Sequence, residues 1–75
     1  MRISVLATPG DHGEVVPRCL HLGRRRVPVV AILDRWEAMA HQYYQVRDLD
    51  GRRFVLRYEP DTRHWALTAV YGRSG

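Results

Sequence analysis

The 75-residue chain contains no lysine: all twelve of its basic residues are arginine, against eight acidic ones, for a formal charge of +4. A coding bias toward arginine accounts for this simply. The physical consequence is the same either way. Every cation is permanently charged, forks onto carboxylate or phosphate, and stacks on aromatic rings. A basic balance of this kind favours polyanions or acidic proteins as partners.

Cysteine is nearly absent too. Cys19 stands alone, which excludes an internal disulfide and suits a reducing compartment. No apolar run approaches the ~20 residues of a membrane span. The opening MRISVLATPGD is too short in apolar residues for the core of a secretory leader. A soluble cytoplasmic protein is the expectation, and one domain of residues 1–75. A chain this short buries only about 60% of its unfolded surface, so its core must be regular.

The residues of catalysis are equally scarce. The serines are Ser4 and Ser74, and the neighbouring carboxylates Asp48/Asp50 and Glu59/Asp61 fall at turns. No nucleophile, base and orienting group come together in a way that suggests a cleft. Gly10-Asp11-His12-Gly13 is not followed by the Lys-Ser/Thr helix start of a phosphate loop. Among Cys19, His12, His21, His41 and His64, only Cys19 and His21 have a ligand-like spacing, where a structural zinc takes four ligands. The expectation is a non-enzymatic protein without metal or cofactor.

What remains is a series of short runs rich in Val, Ile, Leu, Tyr and Trp, punctuated by Gly and Pro, which is the pattern of a small antiparallel β-domain. The runs are Arg2–Ala7, Pro17–Leu22, Arg25–Leu33, Gln42–Asp48, Arg52–Glu59 and His64–Tyr71. Pro17 suits a strand's first position or an edge. Pro28 requires an edge or a bulge, because it cannot donate to a ladder. Between the third and fourth runs, Ile32, Trp36, Met39 and Ala40 share a helical face, and this predicts a helical turn near Trp36–His41. The tail 72–75 is expected to fray.

Leu49-Asp50-Gly51 makes a hairpin of the fourth and fifth runs. A two-residue turn and a three-residue loop with Gly51 left-handed are the alternatives. The second pairs Asp48 with Arg52 and gathers Tyr44, Val46, Phe54, Leu56 and Tyr58 on one face. It leaves Tyr43, Gln45, Arg47, Arg53, Val55 and Arg57 on the other. That cleaner division selects it. In the last run Trp65, Leu67 and Ala69 face inward.

Five to six antiparallel strands with one short helical turn and no second layer predict a small SH3-like barrel, with an OB-type barrel as the alternative. Closing the sheet removes edges that so small a domain cannot cover. The expected core is Val5, Leu20, Leu22, Val29, Ile32, Leu33, Trp36, Tyr44, Val46, Phe54, Leu56, Trp65 and Leu67. Trp36 serves either as a plug over one barrel end or, with Tyr71, as part of a groove.

The frame Leu20-His21-Leu22-Gly23-Arg24, Val29…Ile32-Leu33-Asp34-Arg35-Trp36, Tyr44-Gln45-Val46, Phe54-Val55-Leu56-Arg57-Tyr58 and His64-Trp65-Ala66-Leu67 resembles an uncharacterised bacterial family of small β-domains. The members are found near or attached to Y-family (translesion) DNA polymerases. The resemblance covers residues 17–71, with Leu20 and Leu22 where members often carry Phe and Trp. It implies a stand-alone β-domain connected to DNA transactions.

The basic residues then form the candidate site. Arg47, Arg53 and Arg57 share a sheet face with Tyr43, Arg52 sits at the hairpin tip, and Arg24, Arg25 and Arg26 lie at another turn. Small barrels bind single strands with a positive groove and aromatic platforms. The expectation is an accessory or adaptor domain whose basic face meets DNA or a DNA-processing protein. The alternative is a protein-interaction or homodimerisation module whose arginines only solubilise it.

Overall fold

The structure is a computed structural model that describes residues 1–72, so most of the tail expected to fray (73–75) lies outside the described residues. Among the described residues the chain forms seven strands and no helix. These are β1 (Arg2–Pro9), β2 (Val15–Leu22), β3 (Arg25–Pro28), β4 (Ala31–Ala38), β5 (His41–Arg47), β6 (Arg53–Glu59) and β7 (His64–Tyr71). All pairings are antiparallel, in the order β3-β2-β1-β7-β6-β5-β4.

β3 and β4 are consecutive in the chain yet stand at opposite ends of this sheet. Only Val29 and Val30 join them. The Val29 N–H donates to the Arg18 carbonyl on β2, and the Val30 N–H donates to the Arg47 carbonyl on β5, both at 2.9 Å. A link that short can connect the two ends of a seven-stranded sheet only if the sheet curls until the ends approach there. The result is an all-β curled half-barrel.

Its concave side is filled by alternate residues, as a period of two requires. Leu20, Val27, Tyr44, Val46, Phe54, Leu56, Tyr58 and Trp65 are buried there, with Ile3, Val5, Ala7, Val15, Leu22, Val29 and Leu67 packed against them. Cross-strand pairs carry the layer around the curl: Val27 with Leu20, Leu20 with Val5, Ile3 with Trp65, Trp65 with Tyr58, Leu56 with Tyr44. The Tyr58 and Trp65 rings are 4.6 Å apart and tilted by 41°, within the range of favourable aromatic pairs. The Tyr44 hydroxyl donates to the Val15 carbonyl at 2.6 Å, tying β5 across the concavity to β2. Burial raises its pKa above tyrosine's ordinary value, against the opposing pull of the Arg35 guanidinium.

The β5–β6 hairpin has the three-residue loop. Arg47 pairs with Arg53, the Asp48 N–H donates to the Arg52 carbonyl at 3.0 Å, and Gly51 has a φ of +84°. The two faces divide as the register demands, with Tyr44, Val46, Phe54, Leu56 and Tyr58 all buried.

Four expectations are corrected. Arg25–Leu33 is two strands, because the chain crosses from one sheet end to the other at Val29–Val30; this also lifts the strand count to seven. Pro28 does lie in an end strand, β3, while Pro17 sits inside β2, at a bulge opposite Leu6 and Ala7. Trp36–His41 is not helical. β4 runs to Ala38 and turns through Met39 and Ala40 into β5, with Ala38 opposite His41. Ladder pairing with β5 overrides the helical propensity of Glu37, Ala38 and Met39. Because β4 is an end strand flanked only by β5, Ile32, Leu33 and Trp36 leave the core and are 41%, 44% and 38% exposed. Finally, β7 bulges at Thr68, whose hydroxyl donates to the Val55 carbonyl at 3.1 Å. The bulge reverses the alternation, so Ala69 and Tyr71 pair beside the outward residues Val55 and Arg53.

Met39 and Ala40 have φ of 52° and 65°, the left-handed pair of a type I′ turn without the glycine or asparagine that tolerates it. Ala40→Gly is therefore expected to raise stability by about 1 kcal/mol by removing left-handed strain. A urea midpoint that rises with unchanged slope checks it.

Candidate nucleic-acid interface

The site is built on the convex face of β4, β5, β6 and β7, where the outward residues stand in cross-strand rows. One row runs Trp36, Tyr43, Arg57, Ala66 and Arg2 across β4, β5, β6, β7 and β1. The next runs Asp34, Gln45, Val55 and Ala69, and a third runs Arg47, Arg53 and Tyr71. Arg47, Arg53, Arg57 and Tyr43 thus share one face, as the hairpin register predicts.

Aromatic rings are interleaved with these cations. Trp36 and Tyr43 stack, with centroids 5.4 Å apart and planes 5° from parallel. The Arg53 guanidinium carbon lies 5.3 Å from the centroid of the Tyr71 ring, within reach of a cation–π attraction. Arg47 and Arg53 stand directly opposite each other, a like-charge arrangement that costs stability.

Among the described residues no carboxylate offsets that cost. Among the described residues, none of Arg47, Arg53 and Arg57 has an acidic partner within 4.0 Å. The acids nearby are engaged elsewhere. Glu59 meets His41 at 3.6 Å. Asp48 is buried and turns its Oδ1 to the N–H groups of Asp50 and Arg52, at 2.9 and 2.8 Å. The Arg53 Nε is buried and unpartnered among the described residues.

The remaining candidates lie apart. Arg52 is at the hairpin loop, its N–H held by Asp48. Arg24, Arg25 and Arg26 are exposed at the β2–β3 turn, where Gly23 supplies a φ of +63°. In sheet order β2, β1 and β7 separate them from β6. The structure brings neither set into the rows of Arg47, Arg53 and Arg57.

Three residues of the face are placed beside the arginines by tertiary pairing. For Trp36 the sequence offers a core plug or, with Tyr71, a groove, and its pairing with Tyr43 places it on the outer face. Tyr71 reaches the face through the Thr68 bulge. Arg2 reaches the Arg57 row because β1 pairs with β7, a contact between chain ends that no local signal announces.

The histidines are dispersed. His12 lies 3.8 Å from Glu14, and the Arg2 guanidinium donates to His64 Nε2 at 2.6 Å. Among the described residues no three His, Cys, Asp or Glu side chains form a group that could hold a metal ion, and no helix is long and apolar enough to cross a membrane. No family model, curated protein or solved structure matches the chain.

Proposed function

We propose that this protein is a non-enzymatic accessory domain, of the small SH3-like barrel kind, that binds single-stranded DNA on the convex face of β5 and β6. The observation that carries the reading is the set of three arginines, Arg47, Arg53 and Arg57, that have no acidic partner among the described residues and are interleaved with Trp36, Tyr43 and Tyr71. A solvated face that served only solubility would gain by pairing these cations with carboxylates, and Arg47 beside Arg53 would be disfavoured. A phosphate backbone offsets both costs, and bases have π-faces to lay on the exposed aromatic surface. The resemblance to domains near Y-family polymerases supports a cytoplasmic role in DNA transactions, in which a protein working on the same strand is the second partner.

Fluorescence anisotropy of a labelled single strand and a labelled duplex, at two salt concentrations, tests this. The single strand is expected to bind more tightly, with log K falling by about 0.7 for each phosphate neutralised per unit of log salt. Replacing Arg47, Arg53 and Arg57 together by alanine should flatten that slope by about 2. Trp36→Ala should weaken binding by roughly 5- to 150-fold, equivalent to ~1–3 kcal/mol for one stacked base, with the slope unchanged. Absence of binding at low salt, or binding indifferent to the triple substitution, rejects the proposal.

A further inference from the structure

The strand β4 is the open end of the half-barrel. Among the strands it packs against β5 alone, with Arg35 also reaching Glu14 of the β1–β2 loop at 3.9 Å, and seven of its eight residues, Ile32 to Ala38, are exposed. The opposite end, β3, has four residues and is guarded by Pro28, which has no N–H, and by Arg25 and Arg26. β4 has no proline, and apolar Leu33 and Trp36 lie along it, with Met39, 92% exposed, at its turn. An edge of this kind is a template for another strand.

The direction of its backbone groups follows from the turn. A two-residue loop is closed by a hydrogen-bonded pair, here Ala38 with His41, and such pairs alternate along an antiparallel ladder. Arg35 and Glu37 therefore turn their N–H and C=O groups away from β5. A second contact agrees: the Arg35 N–H receives no ladder partner but donates to the Asp34 Oδ1 at 2.8 Å. The bulge at Leu33 confines any regular ladder on this edge to Asp34–Ala38.

We infer that the occupant of this edge is a second copy of the chain, paired antiparallel through β4 about a two-fold axis at Trp36. In an isologous pairing, outward-turned residues face outward-turned residues, so the axis passes through a single residue. At Asp34, Arg35 or Glu37 it would set identical charges opposite each other. At Trp36 it sets Arg35 opposite Glu37 of the partner subunit, and Glu37 opposite Arg35 of the partner subunit, at the positions that exchange hydrogen bonds. Asp34 falls opposite an alanine. Trp36 meets its own counterpart at a non-hydrogen-bonded site, where Cα atoms come within about 4.5 Å, and the Trp36–Tyr43 stack extends into a row of four rings. The Arg35 N–H exchanges the Asp34 carboxylate for a carbonyl, and the exposed carboxylate returns to water.

A ladder of this length is small beside the ~1,200–2,000 Å² of a stable interface, so the dissociation constant is expected to be micromolar or weaker. The inference is independent of the nucleic-acid reading, since the test contains no nucleic acid. Sedimentation velocity of the full chain, from micromolar to millimolar, should show a reversible monomer–dimer equilibrium. Arg35→Glu and Glu37→Arg, each at an exposed site, should separately weaken the dimer by ~10-fold or more through two like-charge contacts. An equimolar mixture of the two variants should dimerise again, because both contacts become opposite in sign. A chain that stays monomeric at millimolar concentration overturns the inference and leaves the edge to a different protein. So does a dimer insensitive to either single variant, or a mixture that fails to recover.

Discussion

Leu56→Ala is expected to leave the domain largely unfolded or close to it. Leu56 is fully buried at the middle of β6, between Tyr44 on β5 and Leu67 on β7. Truncating a buried leucine costs about 2–5 kcal/mol, the larger values where the cavity cannot collapse. Collapse is hindered here because the neighbours are held on both sides: Tyr44 by its hydrogen bond to the Val15 carbonyl, and β7 by its ladders to β1 and β6. A chain of 75 residues has a total stability of about 4–11 kcal/mol at typical values per residue, and Cys19 is its only cysteine, so no disulfide restrains its unfolded state. Urea titration followed by tryptophan fluorescence measures the loss. Leu49→Ala, at a loop position 76% exposed, is the control and should shift the midpoint little. Comparable midpoints for the two variants would contradict the assignment of the core.

Asp48→Ala is expected to cost about 1–3 kcal/mol, the loss from stranding buried donors. Asp48 is 7% exposed, and its Oδ1 accepts from the N–H groups of both Asp50 and Arg52. These two bonds shape the loop that lets Gly51 turn left-handed, and through it they hold the register of β5 against β6. Asp48→Asn keeps a carbonyl oxygen in the same place and should lose distinctly less. Equal losses for the two variants would show that charge, and not the acceptor geometry, is what the site requires. Because the register sets the rows, Asp48→Ala should also loosen the spacing of Arg47, Arg53 and Arg57, readable as broadened amide resonances across the hairpin.

The β5–β6 hairpin is the most legible part of the chain. Its strands, its turn and its inward and outward residues all depend on contacts between neighbours in sequence. Asp-Gly chemistry and a period of two are enough to state them. The arginine face follows from the same register. β4 is less legible for the same reason in reverse. Over Trp36–His41 the local pattern favours a helix, and the decision belongs to β5, which extends the strand and lays Trp36 on Tyr43. The bulges at Arg18, Leu33 and Thr68 are single-residue offsets set by a partner strand. Each reverses the alternation beyond it, so Ala69 cannot be placed by counting from Trp65.

By itself the sequence determined the class of the fold, the identity of most core residues and the hairpin that gathers Arg47, Arg53, Arg57 and Tyr43, because alternation and turn residues act over a few positions. It also determined that no disulfide supports the domain. Only the tertiary structure decided that Arg25–Leu33 breaks between two ends of one curled sheet, that Trp36 and Tyr71 join the arginines, and that β4 is left with an unpaired edge. Those outcomes rest on pairings between residues far apart in the chain, where curl, bulge and register are shared properties of two strands and are written in neither one alone.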